Sequence, residues 1–161
     1  MHRLYEKFIL NYYKKKHPSI NSSASQISWQ LDDGEDYMLP RMQSDIILEY
    51  FEKVLIIDAK YYFHTTQSYY NTNTIHSGNL YQIFTYVKNK QLENDDFMVS
   101  GMLLYAGNDE EILPDNTYKM SGNTISVGTL DLNQDFGLIK EKLDGIAGVY
   151  LYEYWKIKKW F

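Results

Sequence analysis

Cysteine is absent from the 161 residues, which excludes disulfide staples and cysteine-containing zinc sites and makes a reducing cytoplasm the expected compartment. No apolar run approaches the roughly 20 residues a membrane-spanning helix needs. MHRLYEKFIL carries no signal-peptide pattern, so a chain without membrane attachment is expected. A basic excess is missing too: the formal charge is −5, which does not advertise nucleic-acid binding. Acidic metal ligands would themselves lower the net charge, however, so −5 weakens a nucleic-acid reading without removing it. The lysines are also uneven, with one cluster at Lys14, Lys15 and Lys16 and another at Lys156, Lys158 and Lys159. Gly101, Gly107 and Gly122 form no phosphate-binding fingerprint, and no Walker-type glycine-lysine motif is present, which argues against NTPase activity. His2, His17, His64 and His76 are scattered without the close spacing of metal ligands; His64 and His76 bracket a polar stretch, as surface residues or as phosphate contacts.

What is present reads as a folded globule. The chain is 44% apolar and 16% aromatic, outside the range of disordered segments. A single domain over residues 1–161 is expected, long enough to bury roughly two-thirds of the surface its unfolded chain exposes. The 16 tyrosines suit half-buried packing as well as contacts with sugars and bases, so their number decides nothing.

Residues 3–16 place Leu4, Phe8 and Ile9, with Tyr5, Tyr12 and Tyr13, at helical spacings, and His17-Pro18 ends that helix. A polar stretch follows at Asn21–Ser25. Ile27, Trp29 and Leu31 alternate with polar residues as a strand does, and DDGED (32–36) reads as a turn or loop. Two strands are predicted at Arg41–Glu49 and Val54–Tyr62, close enough to form a hairpin. Residues 64–78 are polar and patternless, which predicts a mobile loop. A second helix is predicted from about Ser77 or Asn79 to Lys90, with Leu80, Ile83, Phe84 and Val87 on one face. Phe97–Tyr105 reads as a strand, 107–123 as a polar excursion, Thr124–Leu132 as another strand, and a last helix begins near Asp135. No repeat or linker interrupts this order, which predicts one α/β domain.

The hairpin carries the acidic residues. Asp45 opens the apolar run of its first strand, in LPRMQSDIIL; Asp58 closes that of the second, in VLIIDAKYY, and Lys60 stands two positions later. Residues two apart on a strand share a face, so Asp58 and Lys60 project together, and a hairpin brings Asp45 alongside. Hydrolysis of a phosphodiester needs charge neutralisation, an activated water and a stabilised leaving oxygen. Two carboxylates that hold Mg²⁺, with a lysine beside them, meet those needs. An Asp-x-Lys at a strand end also arises by chance, and either aspartate can cap a turn. Gln82 and Tyr86, four apart in NLYQIFTY, lie on one face of the next helix, where they can serve a phosphate, the attacking water or the lysine. Taken alone they read as a surface glutamine and a packing tyrosine. Tyr61, Tyr62, Tyr69 and Tyr70 follow Lys60 and suit base stacking or packing of the strand end equally.

D-(x₁₂)-D-A-K followed by Q-x-x-x-Y resembles the RecB-like branch of the PD-(D/E)XK nucleases. LYEKFILNYY, LPRMQSDIIL, LIIDAKYY, NLYQIFTYV and TLDLNQDFGLIKEKL are similar, in the same order, to segments of the C-terminal nuclease domain of McrC-like subunits of McrBC modification-dependent restriction systems. The resemblance runs from about residue 3 to 146. It implies a restriction-endonuclease-like α/β fold with a central mixed sheet flanked by helices, and a DNA endonuclease dependent on Mg²⁺, with Mn²⁺ as a substitute. Asp45, Asp58 and Lys60 would be the active-site triplet, Asp45, Asp58 and the Ala59 backbone carbonyl the metal ligands, and Gln82 and Tyr86 supporting residues. Glu6 matches a first-helix glutamate that reaches the metal in many such nucleases; a solvated helix carboxylate is the alternative.

Relatives of this kind engage a GTP-driven AAA+ motor, McrB, through a further N-terminal region. This chain begins directly at the nuclease helix, so the motor partnership is a weaker implication than the chemistry. One active site per chain implies a homodimer or successive nicks for double-strand cleavage. The rivals are a RecB-like nuclease of repair or end processing, and a non-cleaving domain that keeps the fold to bind nucleic acid or protein.

Overall fold

A computed structural model describes residues 1–61, 66–69, 72–107 and 114–152. The first helix, α1, spans His2–Lys16 and buries Tyr5, Ile9, Tyr12 and Tyr13, one stripe at helical spacing. Each buried tyrosine finds a partner for its hydroxyl: Tyr5 donates to the Leu104 carbonyl (3.1 Å), Tyr13 to the Leu143 carbonyl (2.7 Å) and Tyr12 to Asp144 Oδ1 (2.6 Å). These three are therefore core residues with a satisfied polar end. Lys14, Lys15 and Lys16 occupy the last turn, where cations complement the helix dipole.

The strands that follow are β1 (Asn21–Ser23), β2 (Gln26–Ile27), β3 (Met42–Gln43), β4 (Ile46–Tyr50) and β5 (Lys53–Lys60). Next come β6 (Thr66–Tyr69) and β7 (Thr72–Ile75), the helix α2 (Ser77–Glu93) and β8 (Met98–Ala106). The chain continues through β9 (Asn116–Met120), β10 (Asn123–Leu130) and α3 (Phe136–Ala147), which passes into a π-helical turn over Gly148–Tyr152. Six strands form one mixed sheet in the order β1-β4-β5-β8-β10-β9. Its centre is parallel, β5 with β8 and β8 with β10; the other three pairings are antiparallel. The architecture is therefore α/β, a central mixed sheet flanked by helices.

The two faces of the sheet are read directly from β5. Leu55, Ile57 and Ala59 join the cluster built with α1 and α3. Val54 and Ile56 join the cluster built with Ile83, Tyr86 and Val87 of α2. The two-residue period of a strand then places Asp58 and Lys60 on the α2 side, as the polar continuation of an apolar stripe.

Several expectations are corrected. The polar residues Asn21–Ser23 form edge strand β1, which pairs with β4 through backbone groups and needs no apolar pattern. The strand expected through Leu31 is only β2; Trp29 leaves it and donates its indole N–H to the Pro40 carbonyl at 2.6 Å. The strand expected over 41–49 is broken at Ser44 and Asp45 into β3 and β4. The patternless stretch 64–78 contains a two-stranded antiparallel ribbon, β6 with β7, rather than a loop throughout, and Ser77 already begins α2. The polar excursion 107–123 contains β9, largely exposed along an edge. His64, Tyr62 and Tyr70 lie outside the described residues. Among the described residues, no helix is long and apolar enough to cross a membrane.

Candidate active site

The last paired residues of the β4–β5 hairpin are Ile46 and Ile57. One step further along the same register, Asp45 and Asp58 stand opposite each other. Strand pairing has ended there, and the Asp45 side chain takes over: its Oδ2 accepts the Ala59 N–H at 2.9 Å. The N–H and C=O of one strand residue point to the same neighbour, so the Ala59 carbonyl opens onto the side where Asp45 lies.

Lys60 Nζ lies 3.1 Å from Asp58 Oδ2 and donates to Gln82 Oε1 at 3.1 Å. Gln82 Nε2 in turn meets the Tyr86 hydroxyl at 2.8 Å, and that hydroxyl donates to the Gln43 carbonyl at 3.3 Å. The five residues singled out in the sequence thus converge. They close a ring that runs from β3 through Asp45 to β5, across Lys60 to α2, and back to β3. Glu6 is held in an ion pair with His2 at 2.6 Å on the outer part of α1. Its charge nevertheless reaches Asp45 and helps to raise that carboxyl's pKa. Among the described residues, no three His, Cys, Asp or Glu side chains converge as a metal-binding group. Tyr61 is partly exposed and packs edge-on against Tyr5, with ring centroids 6.1 Å apart.

Burial governs the electrostatics. Asp58 is 3% exposed and Lys60 8%. Desolvation, then the hydrogen bond shared with Asp45, pushes the Asp58 carboxyl up to about 7, against the pull of Lys60. Asp45 is also raised, chiefly by desolvation. Burying a charge costs several kcal/mol unless it is compensated. Once both carboxyls are ionised, the one ammonium beside them among the described residues leaves a negative charge uncompensated. Asp58 Oδ2 is fully buried with the Lys60 ammonium 3.1 Å away, and among the described residues it receives no hydrogen bond. The site is an all-oxygen cradle short of positive charge, which suits a hard divalent cation such as Mg²⁺.

Two buried polar residues beside this ring, Asn79 and Tyr105, carry no signal in the sequence. Tyr105 sits in an apolar strand and reads as core. Asn79 precedes Gln82 by three positions, and only that helical spacing could have drawn attention to it.

Residues 1–106 match the McrBC family, described as a 5-methylcytosine restriction system component. The chain is 33% identical over 154 residues to the Escherichia coli (strain K12) protein described as type IV methyl-directed restriction enzyme EcoKMcrBC, across 94% of this chain and 43% of that protein. It therefore spans less than half the length of that relative. A chain in the solved assembly of Thermococcus gammatolerans McrB AAA+ hexamers with bound McrC shares the fold, with a TM-score of 0.62 and 17% identity over 91% of this chain and 33% of that one. Because the matched span reaches from α1 to the end of β8 and holds Asp45, Asp58, Lys60, Gln82 and Tyr86, with the family pattern and the clustered site in the same segment, the chain belongs to the McrBC family of restriction system components.

Proposed function

We propose that this chain hydrolyses DNA phosphodiester bonds with the help of Mg²⁺, as the cleavage module of a McrBC-type restriction system. One observation supports this reading above the others: Asp45, Asp58 and Lys60 meet at the end of a central strand pair, with a buried carboxylate oxygen that receives no hydrogen bond among the described residues. The two aspartates and the Ala59 carbonyl would hold the ion, and a set this small leaves positions for water and phosphate oxygens, as Mg²⁺ prefers. When bound, the ion supplies Lewis-acid polarisation of the phosphate and lowers the pKa of its water.

The remaining chemistry belongs to side chains. Lys60 stands beside Asp58, where its ammonium can donate to the attacking water or to the oxygens of the transition state. Gln82 accepts from Lys60 and so limits the directions in which the ammonium can point. Tyr86, bonded to both Gln82 and the Gln43 carbonyl, ties that orientation to the strand leading to Asp45. Glu6 sits on α1 within electrostatic reach of Asp45, where its negative charge would add to the site's attraction for the ion.

The restriction role follows from the family and from the Escherichia coli relative, which is described as methyl-directed. The Thermococcus McrB AAA+ hexamers with bound McrC favour an AAA+ motor as this chain's partner, and a homodimer would supply a second active site. The test is nicking of supercoiled plasmid with Mg²⁺ or Mn²⁺, by the parent, Asp58→Ala and Lys60→Ala, each alone and with an McrB-like motor and GTP. Metal-dependent nicking confined to the parent supports the reading. Equal behaviour of all three proteins in both arms overturns it.

A further inference from the structure

In the parallel ladder of β5 and β8, Lys60 stands opposite Tyr105, so both project toward α2. Tyr105 is completely buried in the α2-facing cluster, beside Lys60 in the ladder. Its hydroxyl accepts a hydrogen bond from Asn79 Nδ2 at 3.0 Å, in a buried position. Asn79 belongs to the first turn of α2, one turn before Gln82, on the face turned toward the sheet.

Two points of β8 therefore hold α2, and they lie four residues apart on the same face. At Gly101 the helix comes so close that an added Cβ would meet Val87 Cγ2 at 2.6 Å and Ile83 Cγ1 at 2.8 Å. This contact sets the height of the helix above the sheet. Apolar contact is non-directional, and the directional bonds of Tyr86, Lys88, Asn89 and Gln91 hold the later turns of α2. The Asn79–Tyr105 hydrogen bond is directional and fixes the first turn, from which Gln82 follows. Gln82 lies between the two anchors in sequence and arrives within hydrogen-bonding distance of Lys60. Leucine and phenylalanine would pack at these two positions without a buried polar pair, so packing alone does not account for the choice.

We infer that Asn79 and Tyr105 are positioning residues for Lys60, acting through Gln82. The catalytic consequence rests on the nuclease reading above; the effect on Lys60 itself does not.

The experiment uses the full chain labelled at lysine Cε, with the Lys60 NMR signal identified by its loss in Lys60→Arg. Gln82→Ala defines where that signal falls once the amide partner is gone. Tyr105→Phe, which removes one oxygen, moves the signal toward that position. It also lowers kcat for plasmid nicking about 10-fold with KM unchanged, and in the Gln82→Ala background it adds no further slowing. Asn79→Leu reports in the same direction should Tyr105→Phe fold poorly. An unmoved Lys60 signal in the folded variants, or slowing that multiplies in the double variant, overturns the inference. A parent that never nicks overturns the nuclease reading instead, and the spectra still decide the position of Lys60.

Discussion

Asp45 occupies the place that a further pair of strand residues would have taken: its Oδ2 accepts the Ala59 N–H at 2.9 Å, one step past the last pair of the β4–β5 ladder. A carboxylate is thereby fixed opposite Asp58 by a backbone bond, before any ion arrives. Such prior ordering reduces what binding must spend on arranging ligands.

The first consequence concerns metal affinity. Asp45→Ala and Asp58→Ala are each expected to lose the calorimetric heat of Mg²⁺ binding, whereas Glu6→Gln retains it with at most a severalfold weaker constant. Glu6 is bonded to His2 and reaches Asp45 only through its field. Loss of binding in Glu6→Gln equal to that in Asp58→Ala would make Glu6 a direct ligand and refute this assignment.

A second expectation is a pH dependence with a definite sign. The Asp58 carboxyl is pushed up to about 7, from an unfolded value near 4. Between those values the folded chain holds a proton that the unfolded chain has released. Metal-free stability therefore falls as pH rises through about 4 to 7, by on the order of 4 kcal/mol, and levels off above. Urea unfolding in chelator at pH 5, 6, 7 and 8 measures this slope. Asp58→Asn should flatten it, and a slope of opposite sign would contradict the burial argument. Mg²⁺ must displace the same proton, so its affinity should rise with pH up to about 7, with proton release visible as a buffer-dependent heat.

Tyr86→Phe removes a single oxygen that joins Gln82 to the Gln43 carbonyl. Nicking should slow about 10- to 100-fold, the usual loss when an outer supporting group is removed, while Mg²⁺ affinity stays within a factor of two. A variant that loses metal affinity and rate together would mean that Tyr86 shapes the carboxylate pair rather than the lysine.

Gly101→Ala tests the close approach of α2. The new Cβ meets Val87 and Ile83 side chains at 2.6 and 2.8 Å, closer than side-chain carbons tolerate. Overpacking of this kind costs about 1–3 kcal/mol, which thermal unfolding would register as a drop of several degrees. Nicking should fall at temperatures where the protein remains folded, because the helix that carries Gln82 is lifted from the strand that carries Lys60's neighbour. Unchanged rate with lowered stability would separate the packing of α2 from its part in the site.

Sequence alone determined the α/β class, the positions of the three helices, the β4–β5 hairpin and the five residues that cluster. The reason is local periodicity. Val54, Ile56, Asp58 and Lys60 alternate on one face whatever lies beyond, and Gln82 and Tyr86 share a helical face by spacing alone. Strand β1 and the β6–β7 ribbon escaped notice because backbone hydrogen bonds hold them, and backbone groups are the same in every residue. Tertiary structure alone decided that Asp45 ends the ladder at Ala59, that β5 pairs in parallel with β8, and that Gly101 lets α2 settle low enough for Gln82 to meet Lys60. It also brought Asn79 to Tyr105. Each of these joins residues distant in the chain, and the distances that matter to chemistry, near 3 Å, exist only once the sheet and its helices have packed.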